Sequence, residues 1–173
     1  MSLSRSVSGA VLLVFATLVA VATAEEQPLL TPMPEQPEAP SFDLLGPGGE
    51  RYSLEDMRGK PVIVNFWATW CPPCRAEMPS MQRAWEQVKD DGILIVAVNV
   101  GEDADTIRRF TEQVKVEFPL PMDLDSKVTQ SWPMNGLPTT FVVDPEGRLV
   151  YRAQGEREWD EPALLDLVRD LKQ

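Results

Sequence analysis

The sequence predicts an α/β fold in which a sheet with a parallel centre lies between layers of helices. Two continuous apolar runs rich in β-branched residues, 62–67 and 93–100, have the length of buried parallel strands and are too short for helices. Between them, apolar residues recur at steps of three and four, which is helical spacing: Met78, Met81, Trp85 and Val88. Strand, helix and strand in this order predict a βαβ unit at the centre of the sheet.

Shorter signals predict the remaining elements. Gly46-Pro47-Gly48-Gly49 separates two short strand-like segments, 41–45 and 51–54, and predicts a hairpin at the edge of the domain. Pro79 is expected to kink the helix that follows the first strand. The next elements predicted are a helix from Asp105 to Val114, a proline-rich loop and a short helix at 126–132. Strands at 139–144 and 148–152 follow, and then a terminal helix whose start is indicated by Asp160 and Pro162.

The first 24 residues predict an export segment that is not part of the fold. Arg5 supplies a short positive region, and the following run, 7–24, carries no charge. It closes on Ala22-Thr23-Ala24, the A-x-A pattern of a signal-peptidase site. The same run is at the lower limit for spanning a bilayer, so a cleaved signal peptide and an uncleaved membrane anchor both stay open. Both place the rest of the chain outside the cytoplasm.

Composition divides the remainder of the chain into a linker and one domain. Residues 25–40 contain five prolines and several glutamates, which favours an extended linker without a core. Residues 41–173 have the size of a single domain. The chain carries 27 acidic and 16 basic residues, a formal net charge of −11 at pH 7. This charge argues against nucleic acid and anionic lipid surfaces as partners.

The only two cysteines of the chain lie together in Trp70-Cys71-Pro72-Pro73-Cys74, at the predicted junction of strand and helix. A C-x-x-C pair beside a βαβ pattern is typical of a thioredoxin-like redox site. The two prolines fall in the first helical turn, where a missing N–H costs least. Free N–H groups and the helix dipole favour an anion there. Cys71 is therefore expected to ionise below the ordinary thiol pKa of about 8.5.

A structural disulfide and a metal site are the other interpretations of this pair. A loop of about four residues gains only about 1.9 kcal/mol from closure entropy, against about 3 kcal/mol for fifteen residues, so a disulfide selected for stability would span more chain. A closed zinc site needs four ligands, whereas the sequence offers two thiols and no histidine. Binding of Cu(I), which prefers soft sulfur ligands, stays open as an alternative of a different functional class.

Two sequence blocks carry a resemblance to a known family. The first is Gly59 to Pro79, around the cysteines, and the second is Gly136-Leu137-Pro138-Thr139-Thr140-Phe141. Together they resemble the thioredoxin superfamily, and within it the TlpA/ResA-like extracytoplasmic thiol-disulfide oxidoreductases, over nearly all of 41–173. The resemblance implies a thioredoxin fold, with a central mixed β-sheet flanked by helices and an N-terminal β-hairpin extension. It also implies that Pro138 is the family's cis-proline, opposite the cysteines.

The resemblance assigns a role to each candidate residue, with Cys71 as the nucleophile and Cys74 as the resolving thiol. Thioredoxins carry a buried aspartate six residues before the first cysteine, but this chain has Asn65, which cannot exchange a proton. TlpA/ResA-like proteins place a glutamate three residues after the second cysteine, and Glu77 matches. Residues i and i+3 share a helix face, so Glu77 can approach Cys74 and its proton. The surface expected to receive a partner comprises Trp70, Pro72, Pro73, Leu137 and Pro138.

These residues predict an exported oxidoreductase that exchanges disulfides with protein substrates, in the periplasm if the source is bacterial. No cofactor or metal is expected, because the two sulfurs carry the electrons. In the reducing direction the protein needs an upstream electron donor, which the family implies is a membrane thiol carrier. A disulfide oxidant or isomerase of the same fold is the alternative, since the Pro72-Pro73 dipeptide does not reveal the redox potential.

Two neighbouring families are less well matched. Cytochrome c biogenesis reductases of one branch have a glutamate directly after the cis-proline, where this chain has Thr139. A ResA-like role in cytochrome c or oxidase biogenesis remains compatible with the sequence. Peroxiredoxins need a threonine or serine three residues before the peroxidatic cysteine and a proline seven residues before it. This chain has Ala68 and Val64 there, so peroxidase activity is not expected.

Overall fold

The structure, a computed structural model, describes residues 28–172. The export segment predicted at 1–24 therefore lies outside the described residues. The strands are β1 Thr31–Pro32, β2 Asp43–Leu45, β3 Arg51–Ser53, β4 Val62–Trp67, β5 Leu94–Val100, β6 Met122–Asp123, β7 Thr139–Val143 and β8 Leu149–Gln154. The helices are α1 Pro72–Val88, α2 Ala104–Thr111, α3 Lys127–Ser131 and α4 Pro162–Arg169. Within this part of the chain, no helix is both long enough and apolar enough to cross a membrane.

Six of the strands form one mixed sheet in the order β1-β8-β7-β4-β5-β6. β4, β5 and β6 run parallel to one another. On the other side of β4, strands β7, β8 and β1 continue the sheet with antiparallel pairing. β2 and β3 pair separately as an antiparallel hairpin. The predicted mixed sheet and the predicted N-terminal hairpin are both confirmed.

β4 lies at the centre of the sheet and is buried along its whole length, as expected for a continuous apolar strand. Its side chains alternate between two cores. Ile63 and Trp67 pack on the face that carries α1, α2 and α4. Val64 and Phe66 pack on the opposite face, against the hairpin and Trp132, which follows α3. Both faces of the sheet are therefore covered, and the residues that follow β4, including the two cysteines, extend from the buried middle layer of the fold.

Some element boundaries differ from the predictions. α2 is capped by Asp103, whose carboxylate accepts the Thr106 N–H at 2.8 Å, and not by Asp105. β6 was not predicted, because a two-residue strand carries no periodic signal; it is defined by its pairing with the end of β5. α1 is continuous from Pro72 to Val88 with Pro79 inside it.

Residues 28–40 contain a short strand and a turn at Pro34-Glu35, and they are not a free linker. Thr31 pairs with Arg152 in the sheet, and Leu149 N–H donates to the Pro37 carbonyl at 2.8 Å. Leu30 and Ala39 are buried, one in each core. Proline is tolerated here because an edge strand needs only part of its backbone N–H groups for pairing. The linker prediction is therefore wrong for this segment, and the folded unit includes residues from Leu30 onward.

Candidate active site

The cysteines lie at the N-terminus of α1 and form a disulfide in this structure. Cys71 is the N-cap residue of the helix, and its Sγ accepts the backbone N–H of Cys74 at 3.3 Å. Pro72 and Pro73, which occupy the positions between them, have no N–H. The Cys74 amide is therefore the first helical donor available to the Cys71 sulfur. This geometry favours a thiolate at Cys71 once the disulfide is reduced.

Exposure separates the two sulfur-bearing residues. Cys71 is 4% exposed and Cys74 is fully buried. Trp70, immediately before them, is 67% exposed, and it is one of the few large apolar side chains on the described surface. A partner disulfide can therefore reach Cys71 beside the Trp70 indole, whereas Cys74 lies behind it in the core.

The Leu137–Pro138 peptide bond is cis, as the resemblance implied. Thr139, the next residue, pairs with Phe66 near the end of β4. The cis bond and the cysteine pair consequently lie at the same end of the sheet. Pro138 is buried and Leu137 is half-buried. At the start of α1, Pro72 is exposed and Pro73 is half-buried. The sheet topology thus brings the five residues of the predicted docking surface to one end of the fold.

Glu77 is almost completely buried, at 2% exposed. Its Oε1 accepts Asn65 Nδ2 at 2.8 Å, and its Oε2 accepts the Arg157 backbone N–H at 3.2 Å and Trp159 Nε1 at 3.0 Å. Burial raises the pKa of Glu77 to about 7 even though these donors act in the opposite direction, and the charge of Glu156 adds to the rise. Glu77 is therefore a carboxyl group that can take up or release a proton near neutral pH.

Glu77 lies one helical turn beyond Cys74, and both are on the buried face of α1. The hydrogen bonds described for the carboxylate reach Asn65, Arg157 and Trp159. Asn65, which cannot exchange a proton itself, uses its amide to donate to both Glu77 and Thr140, each at 2.8 Å. Asn65, which lies on β4, therefore holds the Glu77 carboxylate of α1 in place.

Glu102 is a site residue that sequence reasoning missed. Its carboxylate accepts the Thr69 backbone N–H at 2.7 Å, the Thr69 hydroxyl, and Asn99 Nδ2 at 2.8 Å. These bonds tie the loop after β5 to the residues that lead into Trp70 and Cys71. The predicted topology could have pointed to Glu102. The carboxyl ends of adjacent parallel strands lie at the same edge of a sheet, so the residues after β5 lie close to those after β4.

Replacing Glu102 with alanine is expected to leave the fold intact and to lower kcat/KM for disulfide exchange about tenfold, the equivalent of about one lost charge-assisted hydrogen bond. The reason is that Thr69 loses the partner that holds the segment before Cys71. Steady-state assays on a disulfide-bearing peptide measure the effect. Glu112→Ala, which removes an exposed glutamate at the end of α2, is the control. Equal activity of the two variants would show that Glu102 does not position the site.

Among residues 28–172, no group of three or more histidine, cysteine, aspartate or glutamate side chains is arranged to hold a metal ion. Two sulfurs and the buried carboxyl group of Glu77 are among the reactive groups that the fold brings to this end of the sheet. Together they can carry out thiol-disulfide exchange with local proton transfer.

Comparison with known proteins gives the same picture. The AhpC/TSA family matches residues 36–152. The thiol-disulfide oxidoreductase ResA of Bacillus subtilis is 42% identical over 67% of this chain and 65% of its own length, slightly less than two thirds of that relative. ResA of Bacillus cereus is 35% identical over 69% of each chain.

Among solved structures, a Chlorobium tepidum protein assigned as the thiol:disulfide interchange protein DsbE superposes with a TM-score of 0.73 at 31% identity. The superposition covers 80% of this chain and 97% of that one. The thioredoxin fold predicted from the sequence is confirmed. The chain belongs to the AhpC/TSA family, within which it groups with the thiol-disulfide oxidoreductases.

Proposed function

We propose that this protein is an exported reductase of protein disulfides that cycles Cys71 and Cys74 between dithiol and disulfide. The observation that carries the proposal is the asymmetry of the pair. Cys71, 4% exposed, caps α1 directly after the exposed Trp70, whereas Cys74 is fully buried, one turn from a buried carboxyl group. Ala68 and Val64 stand where a peroxiredoxin needs hydroxyl and proline residues, so the proposal concerns disulfide exchange and not peroxide reduction.

The reaction begins with the reduced protein. The Cys71 thiolate attacks one sulfur of the substrate disulfide, the substrate S–S bond breaks, and the departing substrate thiolate takes up a proton. The products are a mixed disulfide on Cys71 and one free substrate thiol. Cys74 then loses its proton and attacks the Cys71 sulfur. The mixed disulfide breaks, the second substrate sulfur leaves as a thiolate that takes up a proton, and the protein is left oxidised, the state described in this structure.

Glu77 is proposed to be the group that takes the Cys74 proton in the second step. Its burial and its pKa of about 7 suit this transfer, since the ionised carboxyl group accepts a proton near neutral pH and the protonated form is tolerated in the core. Asn65 and the loop that follows β8 hold the carboxylate on the buried face of α1. No other acidic or basic side chain contacts the carboxylate among the hydrogen bonds described for it.

The reaction is proposed to take place outside the cytoplasm, in the periplasm of a bacterium. The export pattern at 1–24 supports this placement, whether that segment is cleaved or stays as a membrane tether. Sustained reduction in an oxidising compartment needs an electron donor, and a membrane thiol carrier is proposed for that part. The resemblance to TlpA/ResA-like proteins extends the proposal to substrates in cytochrome c or oxidase biogenesis.

The redox potential tests the direction of electron flow. The protein is equilibrated in glutathione buffers of graded potential, and the dithiol fraction is measured by alkylation and mass spectrometry. A value near that of thioredoxin, about −270 mV, is the expected result for a reductase. A value near that of DsbA, about −120 mV, would make the protein an oxidant and overturn the proposed direction. The Cys71→Ser variant, which cannot form the disulfide, is the control for unspecific alkylation.

A further inference from the structure

We propose that Trp159 is a positioning residue for this reaction: its indole N–H holds the Glu77 carboxylate and controls whether Glu77 is ionised when Cys74 must lose its proton. The proposal rests on the function proposed above for Glu77. Trp159 lies outside α1, in the segment between β8 and α4, 82 residues from Glu77 in the chain. Neither the cysteine motif nor the cis-proline motif points to it.

The indole N–H has a defined acceptor. Trp159 is fully buried, so its N–H has no access to water. It donates to Glu77 Oε2 at 3.0 Å, and the Arg157 backbone N–H donates to the same oxygen at 3.2 Å. A hydrogen bond to a buried carboxylate is among the stronger ones in proteins because the acceptor is charged. Removing the indole donor must therefore disfavour the ionised form of Glu77.

The position of the indole is fixed relative to the helical turn that carries Glu77. Ser80 Oγ accepts the backbone N–H of Trp159 at 3.1 Å and donates to the Glu77 carbonyl at 2.8 Å. Ser80 is itself buried. The helical turn that carries the Glu77 carboxylate therefore also holds the backbone of Trp159, whose side chain contacts that carboxylate.

No positive charge stabilises the ionised form of Glu77 within the described residues, so neutral N–H donors stabilise it instead. Glu156 and Glu158 line the cavity beside Glu77, and the charge of Glu156 opposes its ionisation. The Arg157 guanidinium is directed away, to the main-chain carbonyls of Leu29 and Glu156 at 3.2 and 2.8 Å. On α1, Cys74 lies one helical turn before Glu77 on the same buried face. Within the described residues, no cation pairs with Glu77, so the Trp159, Asn65 and Arg157 N–H groups are what stabilise its negative charge.

A small cavity of about 200 Å³ lies beside this arrangement, lined by Ala76, Glu77, Glu156, Arg157 and Glu158. It lies between α1 and the segment that carries Trp159. A substitution in the segment 156–159 therefore alters the surroundings of the Glu77 carboxylate without changing α1 itself. This makes the segment after β8, and not only α1, part of the proton-transfer machinery.

The test compares two tryptophan variants of the full chain. Trp159→Phe keeps an aromatic ring and removes the N–H that Glu77 accepts. Trp67→Phe is the matched control, because Trp67 is equally buried in the same core and donates to the Ala97 carbonyl at 3.2 Å. The Glu77 carboxyl carbon is titrated by ¹³C NMR in the oxidised protein, where no thiol titrates, and it is assigned by comparison with Glu77→Gln. The pH profile of disulfide exchange is then measured on the reduced protein.

Trp159→Phe is expected to raise the midpoint of the Glu77 titration by about one pH unit, the equivalent of one charge-assisted hydrogen bond. Trp67→Phe is expected to leave that midpoint at the wild-type value. In the Glu77→Gln background, Trp159→Phe is expected to change the exchange profile no further. An equal midpoint for the two tryptophan variants, or an effect of Trp159→Phe that survives without Glu77, would overturn the inference.

The same data separate the inference from the proposed function. Trp159→Phe can shift the carboxyl midpoint while Glu77→Gln leaves the pH profile of exchange unchanged. In that case the contact between Trp159 and Glu77 is real, but Glu77 does not take the Cys74 proton. The proposed function of Glu77 and the proposed effect of Trp159 on Cys74 would then both be wrong. If Trp159→Phe does not fold, Ser80→Ala replaces it. That variant removes the hydroxyl that fixes the Trp159 backbone, and it is expected to raise the midpoint by a smaller amount. No shift in Ser80→Ala would then overturn the inference.

Discussion

Cys71→Ser is expected to lower the rate of disulfide exchange by at least about a thousandfold, whereas Cys74→Ser is expected to accumulate a mixed disulfide with its substrate. The first expectation follows because a serine hydroxyl stays protonated near neutral pH and does not attack disulfides. The second follows because Cys71 can still attack while the resolving thiol is missing. Mass spectrometry of the reaction with a disulfide-bearing peptide, without reductant, measures both outcomes.

Alkylation of the reduced wild-type protein checks the order of the two thiols. Cys71 is expected to react first, since it is the more exposed of the two and lies at the helix N-terminus, whereas Cys74 is fully buried. Adducts found first on Cys74, or rapid product release by Cys74→Ser, would reverse the assignment. The trapped complex of Cys74→Ser, recovered from cells of the source organism, would also identify the physiological substrate.

Glu77→Gln is expected to slow the resolution of the mixed disulfide about a hundredfold near pH 7, the lower range for loss of a general base. Glutamine preserves the size of the side chain but cannot take the Cys74 proton. The wild-type rate is expected to change as Glu77 titrates near pH 7, and the variant is expected to lose that change. Stopped-flow measurement of peptide release from a preformed mixed disulfide gives this rate. Glu86→Gln, an exposed change on the same helix, is the control, and equal rates for the two variants would rule Glu77 out.

The same substitution has a stability signature in the oxidised protein. The pKa of Glu77 rises from 4.5 to about 7 on folding, so between these values the folded state holds a proton that the unfolded state has released. This contribution is fully present below pH 4.5 and is lost as the pH rises to about 7. The loss amounts to about 3 kcal/mol. Urea unfolding from pH 4.5 to 8 should show this decline in the wild type and its absence in Glu77→Gln. A parallel decline in both would place the titration elsewhere.

Local sequence patterns were sufficient for the features that depend on neighbouring residues. The run 62–67 predicted the central strand because burial on both faces of a sheet selects continuous apolar residues. The C-x-x-C spacing placed Cys71 at the start of a helix and Cys74 inside it. Glu77 could be named because it lies on the same helix, one turn from Cys74. The cis bond before Pro138 followed from the family motif.

The features that the sequence did not reveal depend on residues far apart in the chain. The segment around Leu30 was predicted to be a linker from its prolines, yet its partner strand, β8, lies about 120 positions later and supplies the edge on which it pairs. β6 is defined by its pairing with β5, not by a pattern of its own. Glu102 was missed because the residue it contacts, Thr69, belongs to the strand-to-helix loop 33 positions earlier in the chain.

The sequence alone determined which chemistry the protein carries, because two cysteines, two prolines and one glutamate within seven consecutive residues define the redox pair and its candidate proton acceptor. Only the tertiary structure decided how that acceptor is controlled. The state of a buried carboxyl group depends on its desolvation and on its donors, and those come from Asn65 on β4 and from Arg157 and Trp159 after β8. No local pattern could place an indole N–H from the end of the chain against a carboxylate in the first helix.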